Sequence, residues 1–262
     1  HVLLPPLPAP TVAGLKVAGS KFQRSPQAVS LKLSNLRTFE HLNRRMPKRK
    51  PKHRTGERAA VLRALTRAKL HLVPGALARV PTALSERFDN PWAPVEALKQ
   101  QLRPFPTGLL RFWAAQERGH VLIGPQDRGY VPGPQQCGRR TLDGVAHVAL
   151  ADLAAANTRP LVLIGHLLDH LLGCHGAAGG PWLSDGGGIT SRWQEVGRQI
   201  QELFALGYGQ SEAAQRDPHA YFAEGLAAYC RDRRALNVAD PLLERLLRRT
   251  IMNEAFWAAG EE

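Results

Sequence analysis

The stretch PLVLIGHLLDHLLGCH, residues 160–175, decides how the C-terminal half of this chain is expected to fold. Its apolar residues predict a buried helix over 160–173. His166 and His170 are four residues apart and therefore lie on the same face of that helix. Two histidines at this spacing are typical of zinc peptidases. Such an enzyme also needs a glutamate directly after the first histidine, as general base on the metal-bound water, and Leu167 stands there instead.

The composition bounds the class of protein. The chain has 262 residues, 44% of them hydrophobic, which is enough for one good-sized core or two small ones. No apolar run approaches the roughly 18 residues of a membrane-spanning helix. The three cysteines, Cys137, Cys174 and Cys230, are widely spaced and odd in number, which argues against a disulfide framework. This slightly favours a cytoplasmic location, while secretion after removal of a signal peptide stays an alternative.

Charge is distributed unevenly along the chain. Residues 1–120 carry 22 lysines and arginines against 6 acidic residues, whereas residues 121–262 carry 13 against 16. The densest cationic run consists of Arg44, Arg45, Lys48, Arg49, Lys50, Lys52 and Arg54, and the following helix adds Arg58, Arg63, Arg67 and Lys69. Such a segment fits either a solvated linker or a surface that contacts phosphate groups. We therefore expect residues 44–69 to bind nucleic acid or an acidic protein, with an acidic membrane surface as an alternative.

The pattern of residues predicts three regions in an α+β, mainly helical chain. They are a basic, proline-rich arm over 1–56, a basic helical region over 57–100 and a domain over 101–262. Helices are predicted over 56–72, 80–87, 93–103, 106–119, 160–173, 189–206, 218–230 and 240–250. Strands are predicted over 120–124 and 144–151, with a glycine- and proline-rich turn region through Gly133 between them and a glycine-rich loop over 176–188.

Five short segments follow one another along the chain in an order that is typical of a known family. The chain has Arg118-Gly119, HVLIG over 120–124, Gly129-Tyr130-Val131-Pro132-Gly133, GVAHVAL over 144–150 and then Gly165-His166-Leu167-Leu168-Asp169. This order resembles the C-terminal catalytic domain of anthrax lethal factor and its relatives, the Pro-Pro endopeptidases, over about residues 100–250. The resemblance implies a zincin-like metallopeptidase fold with a small sheet, preceded here by the basic helical region.

The resemblance also implies a role for individual positions. Aligned on the family's Gly-His-x-x-Asp core, His166 takes the place of the second zinc histidine. The first histidine then falls on Val162 and the catalytic glutamate on Leu163, while Ala220 takes the place of the third zinc ligand. Three of the four positions where the family places a metal ligand or the base are therefore apolar here, and His166 alone keeps the residue type.

Three further residues keep the family's residue type. Tyr208 corresponds to the tyrosine that stabilises the transition state, and Glu224 corresponds to a glutamate that supports the site. Asp169 is expected to orient His166 through a hydrogen bond, a role that can outlast the metal.

These substitutions favour a pseudopeptidase, a protein that keeps a peptidase scaffold and binds a partner without cutting peptide bonds. One remaining imidazole will not hold zinc tightly, because a catalytic zinc needs three protein ligands and an open position. No cofactor is then expected, and a peptide in the vestigial cleft is one possible partner. The alternative is an active zinc endopeptidase with rearranged ligands around His166 and His170. Cys174 would share their helical face, and Glu224, His219 or His175 would complete the site.

Overall fold

Helices dominate residues 54–259, which are the residues that the computed structural model describes, and a small mixed sheet packs among them. The predicted α+β, mainly helical class is therefore confirmed. The described residues belong to one compact unit within Pro51–Glu262. Of the predicted cationic run, Arg44, Arg45, Lys48, Arg49, Lys50 and Lys52 lie outside the described residues, and only the backbone of Arg54 lies inside them.

Within residues 54–259, an α-helix and a three-residue strand come first, followed by three α-helices, three strands and seven α-helices. The helices are α1 (Arg54–Lys69), α2 (Thr82–Ser85), α3 (Ala93–Gln101), α4 (Thr107–Ala115), α5 (Leu150–Ala154), α6 (Arg159–Cys174), α7 (Ser191–Phe204), α8 (Glu212–Arg216), α9 (Pro218–Ala239), α10 (Pro241–Arg249) and α11 (Glu254–Ala258). The strands are β1 (Leu70–Leu72), β2 (His120–Gly124), β3 (Gly129–Cys137) and β4 (Arg140–Ala149). Two short 3-10 turns occupy Leu77–Arg79 and Leu183–Asp185.

The four strands form one sheet in the order β1-β2-β4-β3. β1 pairs with β2 and β2 with β4 in parallel, whereas β3 pairs with β4 in antiparallel fashion at the edge. Alternate side chains of a strand point to opposite faces. Val121 and Ile123 of β2 accordingly join the main core, while Leu122 packs in a second, smaller apolar cluster with Leu142 and Val145.

Two predicted elements differ from the structure at the sheet. The first helix was expected to continue to Leu72, but it ends at Lys69, and the next three residues form β1 because they pair with β2 from Val121 onward. The predicted turn region through Gly133 is right for residues 125–128, but its second part belongs to β3, whose ladder is irregular between Val131 and Pro134. Prolines are tolerated there because β3 is an edge strand.

Helix α6 is buried along most of its length. It begins with Pro160 in its first turn and ends where His175 takes a left-handed φ of 56°, which is a common way to close a helix. Between Pro160 and Gly173, every residue is buried except Val162 and His166, which are half-buried. These two positions, four residues apart, are therefore the accessible face of the helix.

Helices α6 and α9 approach each other closely at one glycine. A Cβ atom on Gly165 would lie 2.7 Å from the Cα atom of Ala223, so the contact needs glycine. Helix α9 extends beyond its predicted end at 230, with a kink at Asp232, whose carboxylate accepts hydrogen bonds from the backbone N–H groups of Arg234 and Ala235.

Two cations of α1 point inward rather than to the surface, contrary to their predicted place in a positive surface. The Arg58 guanidinium donates hydrogen bonds to the backbone oxygens of Phe105, Leu102 and Arg103 at 2.7, 3.3 and 2.8 Å. Lys69 is 2% exposed, and its Nζ donates to the backbone oxygens of three consecutive residues, Gln116, Glu117 and Arg118. Both side chains satisfy carbonyls just beyond helix ends, where no helical donor is available. Arg63 and Arg67 remain exposed.

Within residues 54–259, no helix combines the length and the apolar character needed to cross a bilayer.

Candidate functional site

The candidate site is a group of aromatic and histidine side chains, here called the tryptophan cluster. It consists of Tyr130 on β3, His166 and His170 on α6, Trp182 in the loop before α7, and His219 on α9. It lies where α6 presents His166, the position that the resemblance gives to a zinc ligand. The other positions aligned with catalytic residues are close along the same two helices, and two of them, Leu163 and Ala220, are 1% and 7% exposed.

His170 has no exposed surface, and both of its ring nitrogens are hydrogen-bonded. The hydroxyl of Tyr130 lies 2.7 Å from Nδ1, and the backbone oxygen of Ala177 lies 3.0 Å from Nε2. A carbonyl oxygen can only accept, so Nε2 carries the proton and Nδ1 accepts from the tyrosine. Burial lowers the pKa of His170 and raises that of Tyr130, which keeps both groups neutral. Binding a metal through His170 would require breaking one of these bonds.

Trp182 fills the space between α6 and α9. Its indole stacks on His219 with ring centroids 4.1 Å apart at an interplanar angle of 12°, and on His170 at 4.9 Å and 23°. Tyr130 meets it edge-on at 5.5 Å. Because both faces of the indole are covered, the stack joins β3, α6 and α9 across the face that carries His166.

The loop that carries Trp182 is fixed to its neighbours by hydrogen bonds. Asp169, fully buried, accepts from the backbone N–H of Ser184 at 2.8 Å and from its hydroxyl at 2.6 Å. This differs from the predicted bond between Asp169 and His166. Burial raises the pKa of Asp169 well above its usual value despite the two donors. Asp185 accepts from His219 Nε2 at 2.9 Å, which also secures the histidine that stacks on Trp182.

Glycines allow this loop to lie directly against α6 and α7. A Cβ atom on Gly173 would lie 2.4 Å from the backbone oxygen of Pro181, and one on Gly197 would lie 2.5 Å from that of Gly187. The predicted glycine-rich loop is therefore tightly packed in its second half. The glycine tract 186–188 borders an open groove of about 600 Å³, but close backbone packing is sufficient to explain why glycines stand there.

His166 is the predicted site residue whose ring nitrogens, within the described part of the chain, are free to bind a ligand. Neither ring nitrogen has a hydrogen-bond partner among residues 54–259, and its ring meets Trp182 edge-on at 6.2 Å. Burial lowers the pKa of His166 to about 4, so the imidazole is neutral at physiological pH. A neutral imidazole is the form that can ligate a metal ion.

Three other predicted residues, Glu224, Tyr208 and Cys174, make contacts that do not include His166. Glu224 accepts a hydrogen bond from the Ser211 hydroxyl at 2.8 Å, and it lines a narrow cavity of about 10 Å³ together with Tyr208. The Cys174 Sγ contacts the backbone oxygens of His170 and Ala177 at 3.5 Å.

The residues present do not fit a zinc centre. In the described part of the chain, no group of three histidine, cysteine, aspartate or glutamate side chains is arranged to hold a metal ion. Of the two histidines predicted to anchor the metal, His170 has both ring nitrogens hydrogen-bonded, which leaves His166, whereas a catalytic zinc requires three protein ligands. The arrangement thus offers stacking and hydrogen bonding.

Tyr130, Trp182 and Ser184 are the members of the site that sequence reasoning missed. The sequence pattern gives Tyr130 no role, and Trp182 and Ser184 belong to a loop that the sequence marks only by its glycines. Comparison with protein-family models, with curated proteins and with solved structures finds nothing that matches this chain.

Proposed function

We propose that this protein is a pseudopeptidase: a partner-binding protein on a zincin-like scaffold whose catalytic centre has been replaced by the tryptophan cluster. The single observation that carries the proposal is the stack of His219, Trp182 and His170, which occupies the space beside His166. A substrate peptide could not reach an ion at His166 on that side without displacing the indole.

The accessible face of α6 supports the same assignment. Val162 and His166 are its only half-buried residues between 160 and 173, and they are the positions aligned with the two zinc histidines of the family. The competing pair, His166 and His170, shares no accessible face because His170 is fully buried. The order of β2, β4 and α6 also follows the order expected from the resemblance.

The partner that the overall charge favours is nucleic acid. The chain carries a formal net charge of +13 at pH 7, concentrated before residue 120. Neutralising phosphate groups releases counterions, which gives affinity that depends strongly on salt and weakly on sequence. Within residues 44–69, the arm carries more of the proposed contact than α1, because Arg58 and Lys69 are engaged with backbone carbonyls.

Metal analysis of the purified protein tests the loss of the catalytic centre. We expect no stoichiometric zinc after dialysis against a zinc-containing buffer followed by gel filtration. About one zinc per chain, lost in both His166→Ala and His170→Ala, would instead support the alternative of an active zinc endopeptidase with rearranged ligands.

A salt titration tests the proposed partner. Binding of a labelled DNA oligonucleotide is measured for the parent chain and for a variant in which Arg44, Arg45, Lys48, Arg49 and Lys50 are changed to glutamine. We expect the variant to bind at least about tenfold more weakly at low salt, with a shallower dependence on salt. If the variant binds DNA as tightly as the parent chain, residues 44–50 do not contribute to nucleic-acid binding.

A further inference from the structure

A second cationic surface lies at the corner between α9 and α10, within the half of the chain that is acidic on balance. It is here called the arginine corner and is defined as residues 229–249. Its six arginines are Arg231, Arg233, Arg234, Arg245, Arg248 and Arg249. The sequence shows them only as scattered residues, and the fold brings the two helices together.

The centre of the arginine corner is a pair of arginines held on one carboxylate. Glu244 is 3% exposed, and its Oε1 atom accepts hydrogen bonds from Nε of Arg233 at 2.6 Å and from Nε of Arg248 at 3.2 Å. The two Nε atoms share one acceptor, so the two guanidinium groups lie close to each other. Like charges would otherwise move apart, and the buried glutamate is what keeps them together.

The outer edges of this pair face solvent. The side chains of Arg233 and Arg248 are 53% and 44% exposed, and within residues 54–259 no second hydrogen-bond partner occupies their Nη groups. Each guanidinium therefore keeps the donors that bind the oxygens of a phosphate in a forked arrangement. Tyr229, half-buried, lies beside the pair, with the Arg233 guanidinium 5.7 Å from its ring centre.

The arginine corner holds three acidic residues against its six arginines, so its formal net charge is +3. Glu244 and Asp240 are 3% and 1% exposed, and Asp240 accepts a hydrogen bond from Tyr221 at 2.5 Å. The third acid, Asp232, is occupied with backbone N–H groups of α9. Arg234, Arg245 and Arg249 are exposed around the pair, so what the corner presents to solvent is mainly positive.

We infer that the arginine corner is a contact site for the phosphate groups of a nucleic acid, with Arg233 and Arg248 at its centre. Several exposed arginines spread over two helices match the repeated charges of a phosphodiester chain better than a single small anion. Arginine in place of lysine also fits forked recognition of phosphate, and no lysine follows Lys99 in the chain. A ring beside the arginines is what single-stranded nucleic acid uses for stacking. The inference deepens the proposed function, with residues other than 44–69.

The test uses the full chain and a labelled single-stranded DNA of about 20 nucleotides, with binding followed by fluorescence anisotropy over a range of salt concentrations. The variant is Arg233→Gln with Arg248→Gln. The matched control is Arg198→Gln with Arg216→Gln, which removes the same charge from two exposed, salt-bridged arginines elsewhere. We expect about tenfold weaker binding for the first variant and less than about twofold for the control. The slope of log affinity against log salt should fall by about 1.4, for two phosphate contacts of about 0.7 each.

Equal losses in the two double variants, or no loss in either, would overturn the inference. A variant with Arg233→Lys and Arg248→Lys keeps the ion pairs with Glu244 and so covers the case in which the glutamine variant does not fold. It should keep the salt slope and bind a few-fold more weakly, because lysine lacks the fork. If the Arg233→Gln, Arg248→Gln variant loses affinity for polyglutamate by the same factor as for DNA, the surface recognises acidic protein chains. That result would also overturn the inference. If only the 44–50 variant loses DNA binding, the proposed function stands and the arginine corner fails.

Discussion

Trp182 is the residue on which the candidate site depends, because its indole separates two histidines from different helices. Trp182→Ala would remove both stacking contacts and leave a space that the fixed loop cannot close. We expect a loss of about 2–3 kcal/mol in the free energy of unfolding, below the range for a fully buried tryptophan since this one is half-buried. Urea denaturation measures it.

The control for this substitution is Trp92→Ala. Trp92 is 65% exposed, so its removal should change the free energy of unfolding by less than about 0.5 kcal/mol. If the two substitutions lower the free energy of unfolding by similar amounts, the stacking of Trp182 on the histidines does not stabilise the fold.

A pair of histidines on the sheet makes stability depend on pH. His71 Nε2 lies 3.1 Å from His120 Nδ1, and His120 Nε2 lies 3.1 Å from the backbone oxygen of Glu117. His120 Nε2 must donate to that oxygen, so Nδ1 accepts and the imidazole is neutral. Burial and the nearby Lys69 ammonium lower the pKa of His120 to about 4.

His120→Gln tests this arrangement. In the folded parent, His120 takes up its proton near pH 4, whereas in the unfolded chain it does so near pH 6.5, so the unfolded state binds more protons between these values. Stability is therefore fully present above about pH 6.5 and falls as the pH drops towards 4. The variant should lose less stability than the parent between pH 7 and pH 4.5, measured as melting temperature. His175→Gln, at an exposed histidine, serves as control, and parallel curves for His120→Gln and the parent would contradict the assignment.

At the scale of the elements, the crossing of α6 and α9 depends on Gly165. Gly165→Ala would place a methyl group 2.7 Å from the Ala223 Cα atom, and that backbone has to move because it is not a flexible side-chain end. We expect a loss of about 2 kcal/mol by overpacking. Differential scanning calorimetry measures the change.

Gly56→Ala provides the opposite case. Gly56 is exposed on α1, and nothing lies within 4 Å of the added methyl group. Alanine is favoured over glycine in a helix by roughly 0.5–1 kcal/mol, so this variant should be slightly stabilised. Destabilisation at both glycines would mean that the loss at Gly165 reflects something other than the helix crossing.

Helices with strong apolar periodicity and the strand β2 could be predicted, whereas the short strand β1 could not. The predicted spans over 160–173 and 240–250 match α6 and α10 to within two residues, because Pro160 and Pro241 mark their first turns. β1 is only three residues long and exists because of β2, about 50 positions later. Its apolar residues continued the helical period of α1, and the tertiary pairing overrides that local preference.

The sequence could predict where the candidate site lies, but not which side chains form it. The resemblance gave His166 the place of a zinc ligand, and the structure leaves this side chain half-buried. No local signal indicated that Ser184 would take both oxygens of Asp169, or that Tyr130 would bond to His170 from 40 residues away. These contacts form only when the sheet, α6 and the following loop are assembled. The residue types along α6 therefore indicated where the site lies. The packing of the sheet, α6 and the loop determines which other side chains belong to it.

At the scale of the whole molecule, the proposed zincin-like scaffold can be tested by rebuilding its metal site. Val162→His with Ala220→Glu would add two ligands to His166 and give the three that a catalytic zinc needs. Leu163 is left unchanged because it is 1% exposed, and a carboxylate buried there would be costly. We expect about one zinc per chain by metal analysis, and none when His166→Ala is added. A folded variant without zinc would refute the alignment of α6 and α9 with the family.

Arg58 and Lys69 also determine how the protein can be divided for experiments. Their carbonyl partners lie 44 to 49 positions further along the chain, and β1 finds its neighbour only at residue 121. A fragment cut near residue 100 would keep the basic helix but lose the atoms that hold both of its inward cations. Its lysine and arginine would then be free to contact phosphate, and such a fragment would overstate the affinity of the intact protein for nucleic acid.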